Sequence, residues 1–348
     1  MKFAPSMSLL RVAVQDVEKR DFWGLSDGQS PCNCLGMTQT LISLDGTPAS
    51  TFAFGAMQFG GKADVTQSRA MFDACRVSGV THFDTAHVYT DGASETLLGD
   101  MIRSEREAIL VASKVGYSGG AGAQNLRAQF DVSRQRLGQD MIDILYLHRF
   151  DPDVDLHESL GCLAEMKQAG QIRYIGLSNA AAWQVMKAVS VAAQFDLTID
   201  ILQPMYNLIK RQAEVEILPM CADQGIAVAP YSPLGGGMLT GKYAQGGTGR
   251  LSEDHRYAAR YGLDWMPETA RALSQLADEV GVPAATLAVA WVAASPYSPM
   301  PIISARTAEQ LVPSLAALNF DMPGELYNRM SALSPTPAPA TDRIEEQL

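Results

Sequence analysis

From residue 52 onward the chain alternates short apolar runs with longer stretches whose apolar positions recur every three or four residues. Short apolar runs read as buried strands, and the 3.6-residue recurrence reads as amphipathic helix. FAFGAMQF (52–59) precedes TQSRAMFDACRVSG (66–79), and HFDTA (82–86) precedes SETLLGDMIRS (94–104). AILVASK (108–114) precedes NLRAQFDVSRQRLG (125–138), and IDILYLH (142–148) precedes LHESLGCLAEMKQAG (156–170). IRYIGLS (172–178) leads to AAWQVMKAVSVAA (181–193), and IDILQP (199–204) to AEVEILPMCADQG (213–225). IAVAPYS (226–232) leads to a glycine-rich segment and two helical stretches (267–281 and 283–295), and PMPIIS (299–304) to TAEQLVPSLAAL (307–318). Strands followed by helices over short links predict parallel pairing, and eight such units predict an α/β (β/α)8 TIM barrel. Gly79, Gly138, Gly170, Gly225 and Gly281 stand where helices should end in a left-handed cap. A doubly wound sheet would need a glycine fingerprint after the first strand, and FAFGAMQFGG does not supply one.

The ends of the chain break this rhythm. MTQTLISLDGTPASTFAFGA (37–56) predicts an N-terminal β-hairpin about Asp45-Gly46. Residues 1–36 lack a pattern that continues into a core. They read as a poorly ordered appendage, with a short amphipathic helix over Met7–Val17. The barrel domain is expected over 37–335, and the Pro-rich then acidic stretch 336–348 as a tail. Segment 232–266 carries eight glycines and predicts a long functional loop after strand seven.

Composition narrows the partners. Of 348 residues, 47% are hydrophobic and 19% charged, an ordinary globular profile. The net charge of −11 argues against general binding to nucleic acid or a membrane surface, both anionic. No apolar run approaches the roughly 20 residues of a membrane span. No secretory signal pattern opens the chain, so the expected location is cytoplasmic. Cysteines number five; Cys32-x-Cys34 has no nearby His or Cys pair to complete a metal site, and no metal is expected.

The candidate chemistry sits at the strand ends. Asp84, Tyr89, Lys114 and His148 lie at or just past the C-terminal ends of strands two, three and four. Taken singly they are a turn residue, a packed aromatic, a surface charge and a satisfied polar group. In a barrel they converge on the face where active sites lie. A free tyrosine, with a pKa of about 10, is a poor proton donor at neutral pH. A nearby ammonium such as Lys114 stabilises the phenolate and lowers that pKa. Asp84 can hold Lys114 charged, and His148 can hydrogen-bond a carbonyl oxygen.

These stretches also carry a resemblance. HFDTAHVYTDGASETLLGDMI, ILVASKVG, IDILYLHRFDP, IRYIGLSN, QPMYNLIKRQAEVEILP, VAPYSPLGGGMLTGKY and PIISARTAEQL resemble the aldo-keto reductases over roughly residues 38–335. HRFDP and SPLGGGMLTGKY are similar to the bacterial-type and potassium-channel-β-like branches. The resemblance implies that Asp84, Tyr89, Lys114 and His148 form a catalytic tetrad with Tyr89 as general acid. It also implies a nicotinamide cofactor that supplies hydride, since no side chain can.

Cofactor contacts are implied residue by residue. Gly55, Ala56 and Met57 resemble the segment beside the nicotinamide ribose, which Asp84 also adjoins. Ser178, Asn179 and Gln203 would hydrogen-bond the carboxamide, and Tyr231 would stack on the ring. Ser232, Leu234, Gly235 and Gly237 would wrap the pyrophosphate through backbone N–H groups, with Lys242 meeting a phosphate. Ser304, Arg306, Gln310 and Ser314 stand where the adenosine half is held. The forked donors of Arg306 favour NADP, with NAD left open. The sequence departs from the family where an acidic residue and an Asn often follow this Gln; here stand Pro313 and Ser314.

The implied function is NADP-dependent reduction of an aldehyde or ketone, sugar-like carbonyls included, or the reverse oxidation of an alcohol. The alternative is an NADPH-binding regulatory or redox-sensing subunit with little turnover. Met57, Phe59, Tyr117, Phe150 and Trp265 are candidates for the substrate pocket, each equally placed for packing, and GYSGGAG (116–122) for a flexible loop beside the pocket.

Overall fold

Eight parallel strands form one sheet in the computed structural model, which describes residues 40–347. The appendage expected over 1–36, its Met7–Val17 helix and the Cys32-x-Cys34 pair lie outside the described residues. The strands are β1 (Ala53–Gly55), β2 (His82–Asp84), β3 (Leu110–Val115), β4 (Ile142–Leu147), β5 (Ile172–Ser178), β6 (Ile201–Gln203), β7 (Ala227–Val228) and β8 (Ile302–Ile303). Their order around the sheet is β8-β1-β2-β3-β4-β5-β6-β7. The two ends meet: Met300 N donates to Val228 O (2.8 Å), Ile302 N to Pro230 O (2.9 Å), and Tyr231 bridges Ile302. Regular pairing in β6, β7 and β8 is brief because Pro204, Pro230 and Pro301 carry no N–H to donate.

The helices are α1 (Val65–Val77), α2 (Ala93–Ile102), α3 (Ala123–Leu137), α4 (Leu156–Gln168), α5 (Ala182–Ala192), α6 (Ile217–Gln224), α7 (Arg250–Glu253), α8 (His255–Arg260), α9 (Trp265–Val280), α10 (Ala284–Ala293), α11 (Ala308–Ala316) and α12 (Gly324–Ser331). Helices α1 to α6 each follow one strand, as the alternating pattern predicts. Glycines 138, 225 and 281 cap α3, α6 and α9 in left-handed conformations. No single helix among the described residues is long and apolar enough to cross a membrane.

Alternation along the strands separates two buried layers. Phe54, Phe83, Val111, Leu145, Ile175, Leu202 and Ile303 belong to the core shared with the helices. Ala53, Leu110, Ala112, Ile144, Tyr146, Tyr174, Ile201, Ala227 and Ile302 form a second cluster on the opposite strand face, with Leu41 packed among them. His82 is in register with Ala53 and Leu110 and is fully buried. Tyr146 pairs with Gly176, and a Cβ at Gly176 would run into the Tyr146 ring.

Carboxylates on the two strand-entry segments are matched by cations. Asp143, at the start of β4, accepts from Arg106 (2.8 Å), Arg173 (3.0 Å) and Val111 N (2.9 Å). Asp200, just before β6, accepts from Ile175 N (2.7 Å) and faces Lys167 at 3.5 Å.

Two expectations are revised. The hairpin reduces to a turn, Ser43 N donating to Thr47 O (2.8 Å), with a single antiparallel bridge Ile42–Pro48. Its expected second strand is β1, which pairs in parallel within the barrel. Segment 232–266 is not an open loop: it winds through two 3-10 turns (Gly235–Thr240 and Lys242–Gln245), α7 and α8.

Candidate active site

Register brings the strand-end residues together. Asp84 on β2 pairs with Ala112 on β3, so Lys114 lies two residues further on the same face. The fully buried Lys114 Nζ donates to Asp84 Oδ1, to Thr85 O (2.8 Å) and to the Tyr89 hydroxyl (3.3 Å). These three acceptors match the three protons of an ammonium. Gln203 Nε2 donates to the other carboxylate oxygen of Asp84 at 2.9 Å. Tyr89 opens a 3-10 turn held by Thr90 Oγ1 donating to Phe59 O (2.8 Å) and Arg136 Nη1 to His87 O (2.9 Å). Arg136 is itself oriented by the buried Glu95 at 3.2 Å.

His148 follows β4 and meets Tyr89 edge-on, ring centroids 5.9 Å apart. Its backbone carbonyl accepts from Asn179 Nδ2 (3.0 Å), which also donates to Ser178 Oγ (3.1 Å). The Tyr231 hydroxyl donates to Asn179 Oδ1 at 2.7 Å, and Ser178 Oγ to Gln203 O at 3.1 Å. Asn179 is therefore held on both sides of its amide. Asn179, Ser232, Thr90 and Asp91 all have positive φ without being glycine. Such conformations cost energy and gather where a site demands them.

The electrostatics separate Tyr89 from its neighbours. Burial pushes the Tyr89 phenol up; Lys114 opposes this without reversing it. The net direction is thus opposite to the lowering expected from Lys114 alone. Burial would lower Lys114, but Asp84 and Tyr89 outweigh it and the ammonium is raised. Burial, then Lys114 and Arg149, push His148 down to about 3, so its ring is neutral at neutral pH. Burial raises Tyr231 to about 12.

A cavity of about 420 Å³ lies on the same strand-end side, between the segment after β7 and the start of α11. Ser232, Leu234, Gly237, Lys242, Ser304, Arg306 and Gln310 all line it. Gly235, Gly236 and Gly237 have positive φ of 56, 67 and 93°, a backbone form that turns successive N–H groups toward an anion. Ser304 Oγ is buried with no hydrogen-bond partner among the described residues. A concave wall with cations, a glycine turn and an orphaned hydroxyl fits a dinucleotide phosphate.

Other predicted residues fall elsewhere. Gly55 packs against β8, where a Cβ would stand 2.9 Å from Ile302 Cγ2. Ala56 is buried and its carbonyl accepts from Ser94 Oγ at 2.7 Å; Met57 is half-buried. Gly235 is buried near Ile209 and Ser314 is buried within α11; neither lines the cavity. Phe59 is a correction. It is fully buried against Phe54 at 5.5 Å, so it belongs to the core and not to a substrate pocket. Phe150 packs on Trp183 (5.7 Å), and Trp265 lies against the core at the start of α9. Tyr117 is 43% exposed with its ring 4.9 Å from His148. Its loop is less free than expected: Asn125 Nδ2 donates to Ser118 O (2.9 Å) and Gly120 O (2.7 Å).

Several lining residues escaped the sequence. Thr240, Arg250, Pro283 and Ala284 border the cavity. Glu253 grips Arg306 through both oxygens (3.0 and 2.8 Å) with Lys62 at 3.5 Å. Only the glycine-rich composition of the segment hinted at such contacts.

The sequence model of the Aldo/keto reductase family matches residues 51–335. The chain belongs to that family. It is 33% identical over 298 residues to a probable voltage-gated potassium channel subunit beta of Oryza sativa subsp. japonica, covering 80% of this chain and 90% of the relative. It is 31% identical over 324 residues to the norsolorinic acid reductase of Emericella nidulans, covering 85% and 81%. It is 29% identical over 282 residues to the L-glyceraldehyde 3-phosphate reductase of Escherichia coli (strain K12), covering 75% and 81%. As an aldo/keto reductase with oxidoreductase relatives, the chain sits among enzymes of small-molecule redox chemistry, whose family generally uses a nicotinamide cofactor.

Proposed function

We propose that this aldo/keto reductase is an NADP-dependent, cytoplasmic enzyme that reduces an aldehyde or ketone to an alcohol, with Tyr89 as proton donor. The observation that carries this is the Lys114 ammonium, bonded at once to Asp84 and to the Tyr89 hydroxyl. Bound along Ser232–Lys242 with its adenosine end at Ser304–Gln310, the nicotinamide cofactor would supply hydride to the carbonyl carbon.

This chain's residues handle the oxygen. Tyr89 keeps its proton at neutral pH because burial holds its pKa up. As negative charge builds on the carbonyl oxygen, the phenol gives up that proton, and Lys114 stabilises the phenolate left behind. Asp84 keeps Lys114 charged, and Gln203 keeps Asp84 in place. Neutral His148 donates to the same carbonyl oxygen and orients it toward Tyr89. Asn179, by holding the His148 backbone, fixes that donor. In the reverse direction the phenolate accepts the alcohol proton.

Arg306 supports NADP over NAD: its guanidinium borders the cavity where a 2′-phosphate would lie. A second reading follows from the plant relatives named as channel β subunits: an NADPH-binding regulatory subunit with little turnover. NADPH oxidation by the purified protein against aliphatic, aromatic and sugar aldehydes, beside direct NADPH binding, separates the two. Turnover of any aldehyde well above the no-protein rate supports the reductase. Tight NADPH binding without turnover of the whole panel would favour the regulatory subunit.

A further inference from the structure

Acidic residues outnumber basic ones in this chain, 38 to 27. Several arginines around the site have a carboxylate: Arg306 has Glu253, Arg256 has Asp254, Arg136 has Glu95. Arg149, Arg250 and Arg260 have none among the described residues; Arg149 is exposed and Arg260 half-buried. An unmatched guanidinium in an acid-rich protein is unusual enough to ask what it meets.

Arg149 immediately follows His148. Its guanidinium lies 5.1 Å from the centroid of the Tyr117 ring, and that ring packs 4.9 Å from the His148 ring. Arg149 is close enough to disfavour the charged form of His148. Arg260 ends α8 in the segment after β7, its guanidinium 5.0 Å from the Tyr257 ring. Arg260 is close enough to Tyr231 to favour its phenolate. Arg149, lying on the Tyr117 ring, thus stands beside His148, while Arg260 lies on Tyr257 in the segment after β7. Stacking keeps each fork directed and spares it ordering cost when an anion arrives.

We propose that Arg149, assisted by Arg260, forms an anion subsite beside the catalytic tyrosine, which selects carbonyl substrates bearing a carboxylate or phosphate. The fork of Arg149 would hold that anion while the carbonyl reaches Tyr89 and His148. Lysine at 149 would keep charge but lose the bidentate grip. This rests on the carbonyl-reductase reading above and names the substrate class for the same site.

The test uses matched pairs with the NADPH-loaded protein: 4-oxobutanoate against butanal, and glycolaldehyde phosphate against glycolaldehyde. The readout is the anionic-to-neutral ratio of kcat/KM in wild type, Arg149→Leu, Arg149→Lys and Arg260→Leu. The expected wild-type ratio exceeds about tenfold for at least one pair, and the pair that shows it tells carboxylate from phosphate. Arg149→Leu should lower that ratio by about 10- to 100-fold, the range of a lost charge-assisted contact. Arg260→Leu should lower it less, and Arg149→Lys should fall between. Equal use of the neutral partners, or a ratio unmoved by Arg149→Leu, would overturn the subsite while leaving the reductase intact. If no aldehyde turns over, the reductase reading fails, and calorimetric titration of succinate and of phosphate into the NADP-loaded protein decides the subsite. Binding of either that weakens in Arg149→Leu supports it, and no binding of either overturns it. NADPH binding by each variant shows that it is folded.

Discussion

Two buried carboxylates, Asp143 at the start of β4 and Asp84 at the end of β2, are held differently at the two ends of the barrel. Asp143 meets two guanidiniums and a backbone N–H, and both arginines reach solvent in part. Asp84 meets a fully buried ammonium and a glutamine, and that ammonium also binds the Tyr89 hydroxyl. The first arrangement only balances charge. The second leaves its cation able to respond when Tyr89 changes protonation state. On the proposed reading, stability collects at the strand entries and chemistry at the strand ends, as barrel enzymes divide them.

The sharpest break comes at Tyr89. Tyr89→Phe should lower kcat by about 10²- to 10⁴-fold, the usual worth of a positioned proton donor, with NADPH binding and thermal midpoint little changed. Wild-type turnover in that variant would remove Tyr89 as the acid.

Next, Lys114→Met should destabilise by about 3–5 kcal/mol, because Asp84 is then buried without a cation, and turnover should vanish with it. Asp143→Asn should cost only about 1.5–3 kcal/mol, since Arg106 and Arg173 can turn toward water. It should leave kcat and KM as they are. Urea titration beside steady-state kinetics checks both. A loss of kcat in Asp143→Asn would erase the division between the two ends.

Arg306→Ala should weaken NADPH binding by about 10- to 100-fold and NADH binding hardly at all, because only the former carries the 2′-phosphate. Fluorescence titration with both cofactors reads it, and equal losses would detach Arg306 from that phosphate. Glu253→Gln sharpens the point. It frees the guanidinium of Arg306, so NADPH should bind more tightly.

The mildest effect is on acid stability. His82 and His148 have folded pKa values of about 4 and about 3, both lowered chiefly by burial, against about 6.5 unfolded. Between those values the unfolded chain binds more protons, so stability is full above about pH 6.5 and falls as the pH drops toward 4. The slope is at most ~1.4 kcal/mol per pH unit for each histidine. Replacing His82 with Gln should flatten the curve of denaturant midpoint against pH by one histidine's share. An unchanged curve would mean that His82 does not titrate in this way.

The strand-helix rhythm was legible because burial on both faces makes parallel strands nearly continuous in apolar residues, as in Leu110–Ala112 and Ile144–Leu147. Asp84, Lys114 and His148 were legible for a related reason: polar residues ending such runs stand out. Phe59 was misplaced because an aromatic in a loop near the site has the same letter whether it faces substrate or core. The direction of the Tyr89 shift was missed because the sequence shows Lys114 but not the burial of the hydroxyl. Glu253 was invisible because its partner Arg306 is 53 residues away across a segment whose glycines hide its path. Helix α12 was missed because it follows the eighth unit and has no strand before it.

The contact of Tyr146 with Gly176 has a consequence for descent. The ring fills the space that any side chain at 176 would need. Position 176 cannot drift first: a larger residue there is tolerated only after the ring at 146 has shrunk. Substitutions at the two should be strongly non-additive. Along any lineage of this barrel they should be inherited as one character, although 30 residues of chain separate them.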